Sequence, residues 1–220
     1  MAEINFLETL HSGTSRNYLE RVCEHDKAAC AVVAKKWGEA YWDGDRRYGY
    51  GGYHYDGRWR SMAEAMAEHY QLKAGDRVLD VGCGKAFLLY ELTQVVPGLE
   101  VMGVDISDYA LANAKHEMRP FLKKADAVAL PFTDNSFDLI YSLTTLHNLY
   151  NFQLHQALSE IERVSRRNSY VCIESYRNER EKANLLYWQL TCEAFFTPKE
   201  WEWFFGISGY NGDWGYIFFE

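Results

Sequence analysis

The chain has 220 residues, 48% of them hydrophobic, with 23 basic and 31 acidic side chains and a formal net charge of -8. Such a length supplies one sizeable core, and the acidic balance disfavours a diffuse binder of nucleic-acid backbone. No apolar run is long enough to span a bilayer, the start lacks a leader-like pattern, and Cys23, Cys30, Cys83, Cys172 and Cys192 form no CxxC or zinc-spaced set, so a reduced, cytoplasmic protein without a metal or a membrane is expected.

Residues 1–70 predict an N-terminal helical cap and residues 71–220 a ligand-binding core. Apolar residues recur at helical spacing from Asn5 to Val22, interrupted at Ser12-Gly13. A second helix is expected over Lys27–Trp42, with Ala28, Ala29, Val32, Val33 and Trp37 near one face. From Asp43 to Trp59 the chain is too glycine-rich for a helix and too aromatic for a simple linker, and Ser61 is a candidate cap for a helix ending near Tyr70. Strands are expected over Arg77–Val81, Glu100–Asp105, Lys124–Ala129, Phe137–Ser142 and Ser169–Ser175. Helices separate them at Phe87–Val96, Ser107–Met118 and Gln153–Val164, which implies a parallel sheet covered on both faces. Thr197-Pro-Lys-Glu200 reads as a capping box opening a helix through Phe205, and Trp214–Phe219 as a last strand, antiparallel at the sheet edge.

The sharpest motif is Asp80-Val-Gly-Cys-Gly84, a strand entering a glycine turn that opens a helix. Ligands of open α/β sheets bind at such strand ends, and Gly82 and Gly84 permit a tight bend and a close backbone approach. A dinucleotide fingerprint needs a small residue where Phe87 stands, and no Gly-Lys-Ser/Thr follows for a nucleotide triphosphate. Asp80 would repel phosphate and suits a cationic, amino-acid-like ligand; its plainer role is to cap the turn. Asp105 lies 21 residues beyond Gly84, where an acid reaches a ribose diol, although it could also cap the next helix.

These residues, with Asp126-Ala127, the run Leu130–Asp138 and Ser142–His147, resemble class I S-adenosylmethionine-dependent methyltransferases of the type 11 group. The resemblance covers about residues 72–176. It implies a Rossmann-like, seven-stranded, mostly parallel sheet with helices on both faces, and S-adenosylmethionine as cofactor with S-adenosylhomocysteine as product. It places Asp80, Gly82, Cys83 and Gly84 near the methionine part, Asp105 and Ile106 at the ribose, Asp126 and Ala127 at the adenine and Ser142 near the sulfonium. Lys85 departs from the small residue common there.

His147 is a candidate base on the loop after the fourth strand, against the plainer reading of a structural histidine. Tyr48, Tyr50, Tyr53 and Tyr55 form either a packed aromatic loop or a lid whose ring faces stabilise a sulfonium, with Tyr53 as a second catalytic candidate. Arg46, Arg47, Tyr48 and Arg58, with Arg60, are candidates to hold an anionic acceptor, unless they pair with Asp43, Asp45 and Asp56. The reading is therefore methyl transfer to a small polar or anionic metabolite or sugar derivative. The alternatives are a protein-directed methyltransferase or a non-catalytic partner subunit that binds the cofactor. The aromatic residues of 1–60 suit a homodimer.

Overall fold

The computed structural model describes residues 1–7 and 17–220, so residues 8–16 of the first expected helix lie outside the described residues. The strands are β1 (Arg77–Val81), β2 (Glu100–Asp105), β3 (Leu122–Lys124), β4 (Phe137–Leu143), β5 (Ser165–Glu174) and β6 (Asp213–Ile217). The helices are α1 (Tyr18–Glu24), α2 (Lys27–Ala34), α3 (Glu39–Trp42), α4 (Arg60–His69), α5 (Phe87–Val95), α6 (Asp108–Ala112), α7 (Asn151–Val164), α8 (Glu179–Trp188) and α9 (Pro198–Ile207). The sheet order is β3-β2-β1-β4-β5-β6, and each pairing is parallel.

Seven strands with an antiparallel last one were expected; the described residues form six, and β6 runs parallel to β5, with Tyr170 beside Asp213 and Glu174 beside Ile217. The connection explains the direction. Two helices, α8 and α9, lie between β5 and β6 and carry the chain back to the starting end of the sheet, whereas a hairpin would reverse it. Beyond β6 the edge is met by the N-terminal segment. The Ile4 N–H donates to the Trp214 carbonyl at 2.7 Å, and the Trp214 N–H donates to the Ala2 carbonyl at 3.0 Å.

Strand residues alternate between two cores because successive side chains leave a strand on opposite faces. Val78, Leu139, Tyr141 and Cys172 pack with Met62 and Met66 of α4, Leu89 of α5 and Leu185 of α8. Leu79, Ile140, Val171 and Ile173 pack with Leu158 and Ile161 of α7 and with Trp201 and Phe205 of α9. Helix α4, which the division at residue 70 assigns to the cap, thus shares a core with β1.

Several local expectations are corrected. The Lys27–Trp42 helix is two, α2 and α3, separated where Trp37 adopts φ 53°. The buried residues of α2 are Cys30 and Ala34, while Val32 is exposed. Trp59, not Ser61, holds the cap position of α4, without a side-chain hydrogen bond. β3 ends at Lys124, which leaves Ala125–Ala129 in a loop, and α6 ends at Ala112, before a tighter turn over His116–Phe121 that contains Pro120. Ser107 does cap α6, accepting the Ala110 N–H at 3.0 Å. The Thr197–Glu200 capping box also forms. Helix α8 had no sequence expectation, because its Glu-Arg-Glu-Lys start masks a sparse apolar face.

Trp201 is fully buried and its Nε1 donates to the Glu174 carbonyl at 3.0 Å. Trp201→Ala should lower the unfolding free energy by about 3–5 kcal/mol in urea titration, through the cavity and the orphaned carbonyl.

Candidate active site

At the end of β1 the chain turns through Gly82 (φ 82°), Cys83 and Gly84 (φ 52°) into α5. The N–H groups of Gly82 and Cys83 donate to the Val104 carbonyl at 2.8 and 3.0 Å, fastening the turn to β2. A Cβ on Gly82 would stand 2.1 Å from Thr145 Oγ1, so only glycine fits. Cys83 faces Gly103 of β2, where an added Cβ would meet its Sγ at 2.9 Å, and burial pushes its thiol up. Its side chain packs within the turn rather than standing as a nucleophile.

Asp80 is buried, and no lysine or arginine pairs with it among the described residues. Burial pushes its carboxyl up to about 8; the nearby Tyr141 hydroxyl counters this and Asp105 adds to it. That hydroxyl is itself buried and closes no well-formed hydrogen bond. Asp105 is more fully engaged. Its Oδ2 accepts the Gly84 N–H and its Oδ1 the Ser107 N–H, both at 2.8 Å. Burial raises its pKa against those bonds. Exposed Ile106 follows it at the strand end.

On the expected adenine side, Asp126 is exposed and accepts the Val128 N–H at 3.1 Å, while Ala127 is buried in the core. Ser142 is fully buried, and its Oγ donates to the Val81 carbonyl at 2.8 Å, tying β4 to β1. It therefore acts within the sheet. Thr144 and Thr145, which belong to the Ser142–His147 stretch but were not singled out from sequence, reach the edge instead. The β4 strand stops at Leu143, and Thr144 has φ 52°.

The aromatic segment lies across this edge. Trp42 packs on the turn, with Cη2 2.8 Å from where a Gly84 Cβ would be, and its Nε1 donates to Ser107 Oγ at 3.0 Å. Tyr50 stacks on Trp42 with centroids 5.3 Å apart, and Tyr53 stacks on Phe87 at 4.9 Å. Lys85 locks the arrangement. Its Nζ, buried, lies 2.7 Å from both Asp43 oxygens and donates to the Tyr53 carbonyl at 2.9 Å. Tyr109 donates to the same carboxylate at 2.9 Å. Burial pushes Asp43 up, but the bonds from Lys85, the Tyr53 N–H and Tyr109 outweigh it and hold Asp43 below the usual carboxylate range. The Tyr53 phenol is pushed far up by burial, so in this arrangement it is a wall, not a base.

His147 follows β4 and is buried. Its Nδ1 accepts the Glu174 N–H at 3.3 Å, and its Nε2 lies 3.5 Å from Glu174 Oε2. Burial lowers its pKa to about 3. With its acceptor nitrogen already engaged, this histidine orients Glu174 rather than taking a proton from a ligand. Glu174, at the end of β5, was not a sequence candidate. Gln189 also donates to it, and its charge reaches the phenols of Tyr41 and Tyr50. Its only sequence signal was an acid at a predicted strand end.

The candidate arginines do not converge. Arg58 binds Asp56 at 2.7 Å, Arg60 binds Glu64 at 2.9 Å, and Arg47 lies 3.7 Å from Asp45 and over the Tyr48 ring. Arg46 donates to the Gly49 carbonyl at 2.6 Å and its guanidinium lies 5.1 Å from the Trp188 ring centroid. Tyr48 packs against the small Cys30–Ala34–Leu190 cluster. Among the described residues no helix is long and apolar enough to cross a membrane.

A family model described as a methyltransferase domain matches residues 72–217. Demethylmenaquinone methyltransferase of Symbiobacterium thermophilum is 31% identical over 128 residues, covering 54% of this chain and 50% of that protein. The chain thus spans about half the length of curated relatives it matches. The solved structure of the YcgJ protein from Bacillus subtilis shares the fold with a TM-score of 0.55 at 21% identity, covering 66% of each chain. The [4+2]-cyclase SpnF does so with a TM-score of 0.54 at 18% identity, covering 85% of this chain and 70% of its own.

Asp80 carries a stability consequence. A carboxyl raised to about 8 stays protonated in the folded ligand-free protein, whereas it ionises near its ordinary pKa when unfolded. Its contribution therefore becomes unfavourable as pH rises from about 4 to 8. Asp80→Asn should raise the Tm at pH 8 by on the order of 10 °C and change it little at pH 4.5, measured by calorimetric scans.

Proposed function

Because the chain belongs to this methyltransferase-domain family, we propose that it binds S-adenosylmethionine at the Gly82–Gly84 turn and directs its methyl group to a small-molecule acceptor. One observation carries the reading: a buried carboxylate, Asp80, has no cationic partner among the described residues, at a turn where only glycine fits. The donor set suits that cofactor. Asp80 offers a negative charge to an ammonium, Asp105 offers carboxylate oxygens to hydroxyls, and the exposed Ile106 offers an apolar surface to a flat ring. Asp126 and Ala127 are assigned to the adenine side on the family resemblance. When bound, S-adenosylmethionine supplies an already activated methyl group, so the protein's task is alignment and exclusion of water.

The strap from Trp42 to Tyr55 serves that task. Its rings exclude water from the turn, and aromatic faces favour a cationic sulfur over bulk solvent. Lys85 and Asp43 hold it in register. On the acceptor side we assign Glu174, oriented by His147 and Gln189, as the polar group closest in character to a proton acceptor. The acceptor is taken to be a small molecule because relatives of this chain carry the names of methyltransferases for quinones and sterols. We place the protein in the cytoplasm, keep residues 1–70 as a cap on a core of 71–220, and keep a homodimer through the cap within this reading.

A second reading, a subunit that binds the cofactor without turnover, is favoured by the close seat of Trp42 on Gly84. Calorimetric titration with S-adenosylmethionine and S-adenosylhomocysteine, with NADH as control, tests the assignment. Micromolar binding of the first two and none of NADH is expected. Silence from folded, ligand-free protein would overturn it, and binding without turnover across quinol, catechol and amine acceptors would favour the subunit. Asp105→Ala should weaken binding at least tenfold, about 1.4 kcal/mol. Between pH 6 and 7.5 affinity should rise with pH, because a cationic ligand requires Asp80 to release its proton; two buffers of different ionisation heat would count that proton, and Asp80→Asn should abolish its release.

A further inference from the structure

Several basic side chains of the cap gather in one place. Arg21, His25, Lys27 and Arg47 line one depression over an apolar floor of Cys30 and Leu190. An adjoining depression of about 280 Å³ shares His25, Cys30 and Arg47 with it. The contacts of the two innermost cations are to neutral groups. Lys27 Nζ donates to the Leu186 carbonyl, and Arg21 donates to the Arg46 carbonyl at 3.2 Å. The Arg21 Nε atom is buried and has no hydrogen-bond partner among the described residues.

We propose that Arg21, Lys27 and Arg47 form a binding site for the carboxylate or phosphate group of a ligand. Among the described residues Asp45 on Arg47 is the one counter-charge that reaches these three, so the like charges repel one another, and an anion between them lowers that penalty while filling the open donor. The electrostatics agree. Burial, then the neighbouring Arg46, lowers the pKa of Arg21, and burial, then Arg21, lowers that of Lys27. Carboxylates nearby do not compensate. Asp26 is committed to the N–H groups of Ala28 and Ala29 as the cap of α2, and Glu24 lines only the adjoining depression. Asp45 reaches Arg47 alone, at 3.7 Å. The guanidiniums of Arg21 and Arg46 both lie over the Trp188 ring, 4.6 and 5.1 Å from its centroid, which fixes their planes for a forked contact.

The position connects this site to the strap. Cys30 and Leu190 pack with Tyr41, and Tyr41 meets Tyr50 edge-on at 5.4 Å. An anion here sits one aromatic layer behind the face assigned to the acceptor. The anion site does not rest on the methyl-transfer reading.

Titration calorimetry with sodium phosphate and, separately, sodium acetate, at an ionic strength fixed with chloride, tests the site. Saturable binding of one of them is expected, phosphate indicating a phosphorylated ligand and acetate a carboxylate. Arg21→Ala and Lys27→Gln should each weaken it at least tenfold, whereas Arg58→Ala, whose guanidinium is tied to Asp56, should leave it unchanged. Should Arg21→Ala not fold, Lys27→Gln decides alone. Absence of saturation with both salts, or equal weakening by Arg58→Ala, would overturn the site. S-adenosylhomocysteine titrated into the same samples should bind alike in all of them, so loss of that binding with the anion retained would count against the methyl-transfer reading alone.

Discussion

At the middle of the sheet's carboxyl edge stands a carboxylate that no cation among the described residues neutralises. Asp80 is enclosed between β1 and β4, with Tyr141 beside it and Asp105 across the turn, and burial drives it towards the protonated form. A charge in low dielectric without a partner is costly, and a fold keeps such a group when something else supplies the opposite charge. The surrounding elements serve that arrangement. Parallel strands bring the ends of β1, β2 and β4 to one side, Gly82 and Gly84 open the backbone there, and Asp105 braces the turn by accepting the Gly84 N–H at 2.8 Å.

The cap is joined to this edge by chemistry as well as by packing. A buried lysine paired with a mostly shielded aspartate is rigid when complete and unfavourable when broken. Lys85 and Asp43 make such a pair, with Tyr109 and the Tyr53 backbone as additional partners. Trp42 and Tyr53 are thereby held on Gly84 and Phe87. The same contacts that shield the turn also limit entry to it, so cofactor access and water exclusion depend on one small set of bonds.

Charge in the cap divides into two kinds. Arg58 and Arg60 are matched by Asp56 and Glu64 on the surface, where ion pairs contribute little. Arg21 and Lys27 are matched by carbonyl dipoles and an indole face. The distinction is invisible in composition, where all count equally, and it moves the interest in an anionic ligand from the glycine-rich segment to the helices that precede it.

The sequence by itself determined the alternation of strand and helix, the glycine turn after β1, the acids at the ends of β1 and β2, and the caps at Ser107 and Thr197. These follow from period, turn chemistry and local hydrogen bonding, which act over a few residues. Lys85 read only as a departure from a motif, because its partner Asp43 lies 42 positions away. Ser142 and Thr145 could not be ranked from sequence, since which of them reaches the edge depends on where β4 stops against β1. The direction of β6 depended on the crossover through α8, whose apolar face is too sparse to register as a period. His147 had the residue type of a base, but only tertiary structure engaged its Nδ1 with a backbone N–H and removed the water that a charged imidazole needs. Short-range physics fixed the elements and the turn; burial and long-range pairing, which no window of sequence contains, decided which side chains face the ligand and which hold the walls.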